Sequence, residues 1–385
     1  MTRTNNLAFK NVITSSGNFK NKIIKPLDYS LGGLLVYLLR PKDFPGPKLY
    51  KNRITKILVI RPGGIGDAVL LLPFLKELKR TFSSVKIDIL AEKRNMQVFS
   101  FVEGIIDNNY CYDNPGLIIL LRRLKKENYD IVFDTEQWHN LSAIFSFLVG
   151  RKMRVGFDTR EARSQLYTHL AHYLQEKHEK DNFLEMLKVV SPDTFIDSLR
   201  FPFIFLSAQI RDWAKQVVPH SRPIAVCLSA SIKERFWGVD NFSKICNYLI
   251  SKNYSIVFLG GNRERNVFRR IFKGISNPEF VYDFVGKTNL NSTAALINLS
   301  KFYIGLDTGI LHIAYALDVP TISLFGPGIK DKWAPPGEKH IIIDKQLSCS
   351  PCTLFGYTPV CNNVLCMKEI KPEDVISAIN KLSHE

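Results

Sequence analysis

Phe302-Tyr303-Ile304-Gly305-Leu306-Asp307-Thr308-Gly309 is an apolar run that ends in a turn of small and polar residues. The run 302–306 reads as a buried parallel strand. Ile310–Leu317 reads as an apolar helix, and Thr321–Phe325, after Pro320 and before Gly326-Pro327, as the next strand. A strand that passes through such a turn into a helix aims unpaired backbone N–H groups above the sheet, an arrangement suited to phosphate. A second turn of this kind, Arg61-Pro62-Gly63-Gly64-Ile65-Gly66-Asp67, lies far upstream between the strand Ile57–Ile60 and a helix beginning near Ala68. Two such turns in two halves of one chain predict two nucleotide-fold domains facing each other across a cleft.

The pattern around both turns alternates strand with helix. In the front half, a helix over Ala68–Arg80 is followed by a strand at Val85–Leu90 and another at Ile105–Tyr112. Then come a helix at Leu117–Lys126, a strand at Tyr129–Asp134 and a helix at Leu141–Val149. In the back half, strands at Pro223–Leu228, Ser255–Gly260 and Phe280–Val285 alternate with helices at Phe242–Ser251, after Asn262, and at Thr293–Leu299. Alternation of this kind implies α/β architecture with parallel sheets. The expected boundaries are an extension over 1–54, a domain over 55–205, a linker over 206–222 and a domain over 223–385.

At 385 residues the chain exceeds one ordinary core, which agrees with two domains. The net charge of +16 fits either a solvated surface or an acidic partner. No base-reading motif or arginine-rich run supports nucleic acid, so an anionic, membrane-borne partner is the better expectation. Residues 1–52 carry nine Lys or Arg against Asp28 and Asp43, a net +7. Within them, the apolar run Leu31–Leu39, closed by Arg40-Pro41, is far shorter than the roughly 20 residues that span a bilayer. No small-residue cleavage site follows it. It reads as either a packed helix or an interfacial anchor on an anionic membrane surface. The expected location is cytoplasmic, peripheral on the inner face of the inner membrane.

Taken together, Arg61–Asp67 with Leu72-Pro73, the Lys233/Trp237 segment, Asp307-Thr308-Gly309…His312…Pro320, and Cys349-Ser350-Pro351-Cys352…Cys361…Cys366-Met367 resemble glycosyltransferase family 9, the lipopolysaccharide heptosyltransferases. The resemblance covers roughly residues 55–380. It implies the GT-B fold: an N-terminal acceptor domain, a C-terminal nucleotide-sugar donor domain, and inverting transfer without metal or other cofactor. The implied partners are a nucleotide-sugar, ADP-heptose above all, and a lipid-linked anionic oligosaccharide.

Transfer from a nucleotide-sugar needs a base for the acceptor hydroxyl and positive potential for the departing diphosphate. Asp67 is the candidate base; an Asp at a helix start is equally a favoured N-cap, and the resemblance tips the reading towards the base. Arg61, Gly64 and Gly66 are expected beside the acceptor, where Arg154, Arg160, Arg163 and His178 are further anion-binding candidates or plain surface charges. On the donor side, Ser229 and Ser231 suit phosphate hydrogen bonds. The family's donor-touching lysine matches Lys233, although Phe236 stands between Arg235 and Trp237, where a shorter Lys-Arg-Trp run is usual. Thr308 and Gly309 are expected to offer N–H groups to the diphosphate, Asp307 to meet sugar hydroxyls or to hold Lys233, His312 to touch the donor, and Glu264 to accept from ribose.

No Asp-x-Asp triplet occurs, in agreement with a metal-free mechanism. Cys349, Cys352, Cys361 and Cys366 read as structural thiols rather than a zinc site, their intervals being short of zinc-ribbon lengths. Cys111, Cys227 and Cys246 read as core. A non-catalytic nucleotide-sugar-binding protein of the same fold is the alternative. A nicotinamide oxidoreductase is disfavoured because the dinucleotide glycine fingerprint is missing.

Overall fold

A computed structural model describes residues 28, 32–39, 54–113, 116–150, 152–194, 201–219, 222–354 and 358–383. The chain divides into two compact units, Met1–Arg200 and Phe201–Glu385. Each is built on one six-stranded, all-parallel sheet.

In the first unit the strands are β1 (Lys56–Arg61), β2 (Lys86–Ala91), β3 (Asn108–Cys111), β4 (Ile131–Asp134), β5 (Met153–Asp158) and β6 (His169–His172). Their order is β3-β2-β1-β4-β5-β6. Ile57, Leu58, Val59 and Ile60 are all fully buried, as a strand covered on both faces requires. Alternate side chains serve opposite faces. On one, Leu58, Ile60 and Val132 pack against Leu124 of α3 (Leu117–Lys126) and Phe145 and Val149 of α4 (Asn140–Val149). Two further helices, α2 (Ile65–Thr81) and α6 (Glu179–Val190), pack on each other. Pro73 sits inside α2 and removes one helical hydrogen bond, but the helix runs on because Leu70, Leu71, Phe74 and Leu75 are wholly buried. Between β5 and β6 lies a single turn, α5 (Glu161–Ser164).

The described part of the front segment is joined to this unit. Helix α1 (Gly33–Leu38) packs on α4 and α5 and buries Val36 beside Ala143, Ile144 and Leu166. The Asp28 carboxylate caps α4, accepting from the N–H groups of Asn140 (2.9 Å) and Leu141 (2.7 Å). The remainder of the expected anchor lies outside the described residues. Burial pushes the Asp28 carboxyl up, but His139 and those two N–H groups outweigh it and hold it below the ordinary carboxylate range. The cap is therefore present at neutral pH and is lost as acid protonates it. Asp28→Ala should cost about 1–2 kcal/mol. Urea denaturation checks this, and the deficit should shrink in acid.

In the second unit the strands are β7 (Ile224–Cys227), β8 (Ile256–Leu259), β9 (Val281–Asp283), β10 (Tyr303–Leu306), β11 (Thr321–Phe325) and β12 (His340–Asp344). Their order is β12-β11-β10-β7-β8-β9. The segment expected to be a linker, 206–222, instead contains helix α7 (Ala208–Val217), N-capped by Ser207. It packs within this unit against α10 (Leu290–Leu299), and Trp213 meets Phe284 edge-on. The division between units therefore falls earlier, at 200/201. The other helices of the unit include α8 (Val239–Ser251), α9 (Arg265–Phe272), α11 (Gly309–Ala316), α12 (Lys330–Trp333), α13 (Leu365–Lys368) and α14 (Pro372–Ser383). No helix among the described residues is long and apolar enough to cross a membrane.

Candidate active site

Strand order reverses between β1 and β4 in the first sheet and between β7 and β10 in the second. In open parallel sheets, ligands bind beyond the carboxyl ends of the strands at such a switch point. The sequence-selected turns are at those places: Arg61–Asp67 follows β1, Ser229–Arg235 follows β7, and Asp307–Gly309 follows β10.

Asp67 is the third residue of α2, whose N-cap is Gly64. It is therefore a first-turn carboxylate, not the N-cap. Two glycines make its position available. Gly63 has φ +100°, a left-handed conformation that side chains disfavour. At Gly64 a Cβ would lie 2.8 Å from Asp67 Oδ2, so only glycine lets the carboxylate fold back over the turn. Gly66 is buried inside the helix.

Arg61, expected to meet the acceptor, is instead buried under the turn at 1% exposure. Its guanidinium donates to Pro62 O (2.6 Å), Thr135 O (2.6 Å) and Glu136 Oε2 (3.0 Å), and Asp67 Oδ1 stands 3.9 Å away. Glu179 is fully buried nearby, accepting from Gln137 and, at 2.9 Å, from the Tyr173 hydroxyl. Burial opposes charge on Arg61, but Asp67, Glu136 and Glu179 outweigh it. One cation is thus shared by three carboxylates, and the sharing is unequal. Burial raises Glu136, but His139, Arg61 and Arg163 together bring it below its ordinary value. Asp67 is pushed up to about 6: burial raises it, Arg61 opposes, and Glu179 and Glu136 add repulsion. A carboxylate poised near neutrality and still a quarter exposed is chemically suited to take a proton.

The other cationic candidates divide. Arg163 and Arg154 are buried and structural: Arg163 binds Asp134 and Glu136 O, and Arg154 donates to Leu166 O and Gly150 O. His178 is the N-cap residue of α6. Arg160 lies over the Trp138 ring, 4.7 Å from its centroid. It lines an open depression of about 450 Å³ with Thr159, Ser164 and Gln165.

In the second unit the cation brought to Asp307 is Arg235, not Lys233. Arg235 Nη2 lies 3.0 Å from Asp307 Oδ2 and Nη1 donates to Asp307 O at 2.6 Å. Lys233 is 70% exposed, with Nζ 4.0 Å from Glu234 Oε1. Asp307 is walled in; a Cβ on Gly328 would fall 2.1 Å from its Oδ2. Burial raises the Asp307 carboxyl and Arg235 opposes that rise. Its visible role is to orient Arg235. Thr308 is the N-cap residue of α11, and Gly309 begins that helix, so its first-turn N–H groups face the carboxyl edge of the sheet. His312 is buried one turn on, 6.3 Å from the Trp333 ring.

Ser231 is exposed and Ser229 half-buried in the turn after β7. Glu264, expected at a ribose, accepts the Gly261 N–H at 2.8 Å and so closes its own turn. Cys227 and Cys246 are buried, Cys111 is half-buried, and all seven cysteines are free thiols. Burial, with Cys366, Cys361 and Cys349 nearby, pushes the Cys352 thiol up to about 11. Among the described residues, no group of three or more His, Cys, Asp or Glu is arranged to hold a metal ion.

Sequence reasoning missed Glu136, Glu179 and the role of Arg235. Glu136 had a legible signal, since it follows a strand two residues beyond its carboxyl end. Glu179 had none, because it reaches the turn only through the packing of α6 on α2.

Comparison with known proteins agrees with this geometry. Residues 118–356 match the family model described as glycosyltransferase family 9 (heptosyltransferase). The chain is 25% identical over 309 residues to lipopolysaccharide heptosyltransferase 3 of Escherichia coli K12, covering 72% of this chain and 84% of that protein. It is 24% identical over 336 residues to lipooligosaccharide heptosyltransferase 2 of Campylobacter jejuni, covering 85% and 99%. The structure of an E. coli ADP-heptose heptosyltransferase II superposes with a TM-score of 0.70 at 20% identity, covering 85% of this chain and 98% of that one. An E. coli heptosyltransferase solved with ADP-2-deoxy-2-fluoro heptose gives 0.64 at 18% identity, covering 85% and 99%. The fold is thus the GT-B type of these enzymes.

Proposed function

The chain belongs to glycosyltransferase family 9, and from that premise we propose that it moves a heptose from ADP-heptose to a lipopolysaccharide core or similar lipid-linked glycan, with inversion and without a metal. The observation that carries the reading is Asp67, a carboxylate raised to about 6 beside a shared arginine at a strand switch point.

In this mechanism the first unit supplies the base. Asp67 takes the proton of an acceptor hydroxyl as that oxygen bonds to the anomeric carbon. The bond from that carbon to the diphosphate oxygen breaks, and ADP leaves with the electron pair. The second unit meets the charge on ADP with Arg235 and the N-terminus of α11 at Thr308 and Gly309. Fixed cations and amides fill the role that a divalent ion plays elsewhere. Lys233, Ser229, Ser231, His312 and Glu264 complete the proposed donor contacts, and Gly64, Gly66 and Arg160 lie on the acceptor side. The acceptor being lipid-linked, the protein works as a peripheral protein at the cytoplasmic face of the inner membrane, and its +16 net charge supports that placement.

Incubation of purified protein with ADP-heptose and a deacylated core acceptor should release ADP and extend the acceptor by one sugar. Absence of nucleotide release from this donor and from UDP-, GDP- and CMP-sugars alike would overturn the reading.

A further inference from the structure

In the first unit, nine large apolar side chains are exposed among the described residues, and eight of them fall on only three helices. They are Leu34, Leu35, Tyr37 and Leu38 of α1, Leu117, Ile118 and Ile119 of α3, and Leu141 of α4. Ile118 and Ile119 are 66% and 72% exposed, while Leu120, Leu121 and Leu124 of the same helix turn inward onto the sheet. A first helical turn apolar on its outer side, on a helix whose later leucines already fill the inner side, is not an ordinary solvated surface.

The three helices lie side by side. Both α3 and α4 cover the same sheet face, and α1 packs on α4. Because α3 follows β3 and α4 follows β4 in a parallel sheet, both start at its carboxyl edge, the edge that carries the Asp67 turn. The start of α1 is there too. A Cβ on Gly32 would stand 3.0 Å from Asn140 Cβ, and Asp28 caps the first N–H groups of α4. One belt of leucine, isoleucine and tyrosine therefore borders the edge where the acceptor hydroxyl is proposed to react.

Its charge identifies the occupant. Beyond the apolar tip of α3 come Arg122, Arg123, Lys125 and Lys126, all exposed, and the helix contains no acidic residue. A second copy of the chain related by a two-fold axis would set this basic collar against itself. An anionic bilayer accepts both parts, taking the aliphatic tip at the acyl boundary and the cations among the headgroups.

We propose that α1, α3 and the start of α4 form a docking surface for anionic lipid that seats the carboxyl edge of the first sheet at the membrane. This rests on the reading of a lipid-linked acceptor for its purpose, but it is measured without any sugar. Full-length protein is sedimented with vesicles of phosphatidylglycerol and phosphatidylethanolamine, or of phosphatidylcholine alone. The parent should partition onto the anionic vesicles, and less so as salt screens the collar. The double variant Ile118→Asn/Ile119→Asn changes only exposed side chains. It should lose at least about tenfold in partition, with turnover on a deacylated acceptor unchanged.

Equal binding by parent and variant would overturn the proposal, as would indifference of the parent to anionic vesicles. So would a dimer of the parent that the double variant dissolves, since that assigns the belt to a second copy. Vesicle binding without turnover on any donor would instead sink the functional reading and leave the docking surface standing.

Discussion

Asp67→Asn is expected to lower turnover by about 10²–10⁴-fold, to leave donor affinity within a few-fold, and to raise the melting temperature. The three effects share one cause. The fold holds the Asp67 carboxyl near 6 because burial and the neighbouring Glu179 and Glu136 disfavour its charge more than Arg61 favours it. An acid raised above its unfolded value lowers stability as pH climbs through the folded value, so the ionised side chain is a liability at neutral pH. Asparagine keeps the shape and removes the charge. What it cannot do is accept a proton from the acceptor hydroxyl. The pH profile of kcat/KM for the parent should fall about tenfold per unit below roughly pH 6. Steady-state kinetics, ADP titration and thermal melts check the set. A folded asparagine variant that keeps turnover would remove Asp67 as the base, and one that melts lower than the parent would remove the stability argument.

What the sequence disclosed and what it hid follow from burial. Strands sheathed on both faces must be apolar throughout, so Ile57–Ile60 and Phe302–Leu306 were legible as strands in isolation. By contrast, β5 is Met153-Arg154-Val155-Gly156-Phe157-Asp158, and its arginine breaks the apolar run. Only the structure shows Arg154 buried against two carbonyls. Strand β6 is short, at the sheet edge, and begins and ends in histidine, and neither of these strands had a sequence signature. The site divides the same way. Local backbone demands, glycines at 63 and 64 and the small-residue turn at 307–309, are written in adjacent letters. Charge sharing is not: Glu136 reaches Arg61 from another strand, and Glu179 from another helix. The Arg235–Asp307 pair was obscured by Lys233, a nearer match by residue type but one that the structure leaves largely in solvent.

Arg163→Met should destabilise the first unit by about 3–5 kcal/mol, the largest loss expected from any single side chain described here. Arg163 and Asp134 are both fully buried. The guanidinium donates to Asp134 Oδ2 (3.2 Å), Glu136 O (2.8 Å), the Tyr167 hydroxyl (2.9 Å) and Thr159 Oγ1 (3.2 Å). Tyr167 in turn donates to Asp134 at 2.6 Å. Its ring lies over Gly156, where a Cβ would be 2.3 Å from Tyr167 Cζ, so the network has no slack to repack around a lost partner. Burial already raises the Asp134 carboxyl, with Arg163 and Tyr167 opposing that rise. Without the arginine, a charge stays in the core with only the Tyr167 hydroxyl and the Glu136 N–H to meet it.

Two comparisons separate this cause from lost packing, since methionine fills much of the same volume. Asp134→Asn added to Arg163→Met should recover most of the deficit by removing the stranded charge. Moving from neutral to mildly acidic pH should narrow the gap between the single variant and the parent, because protonating Asp134 relieves the same penalty. Urea denaturation of parent, single and double variants at both pH values reads each term. A double variant no more stable than the single one would mean that Arg163 acts through its packing rather than its charge.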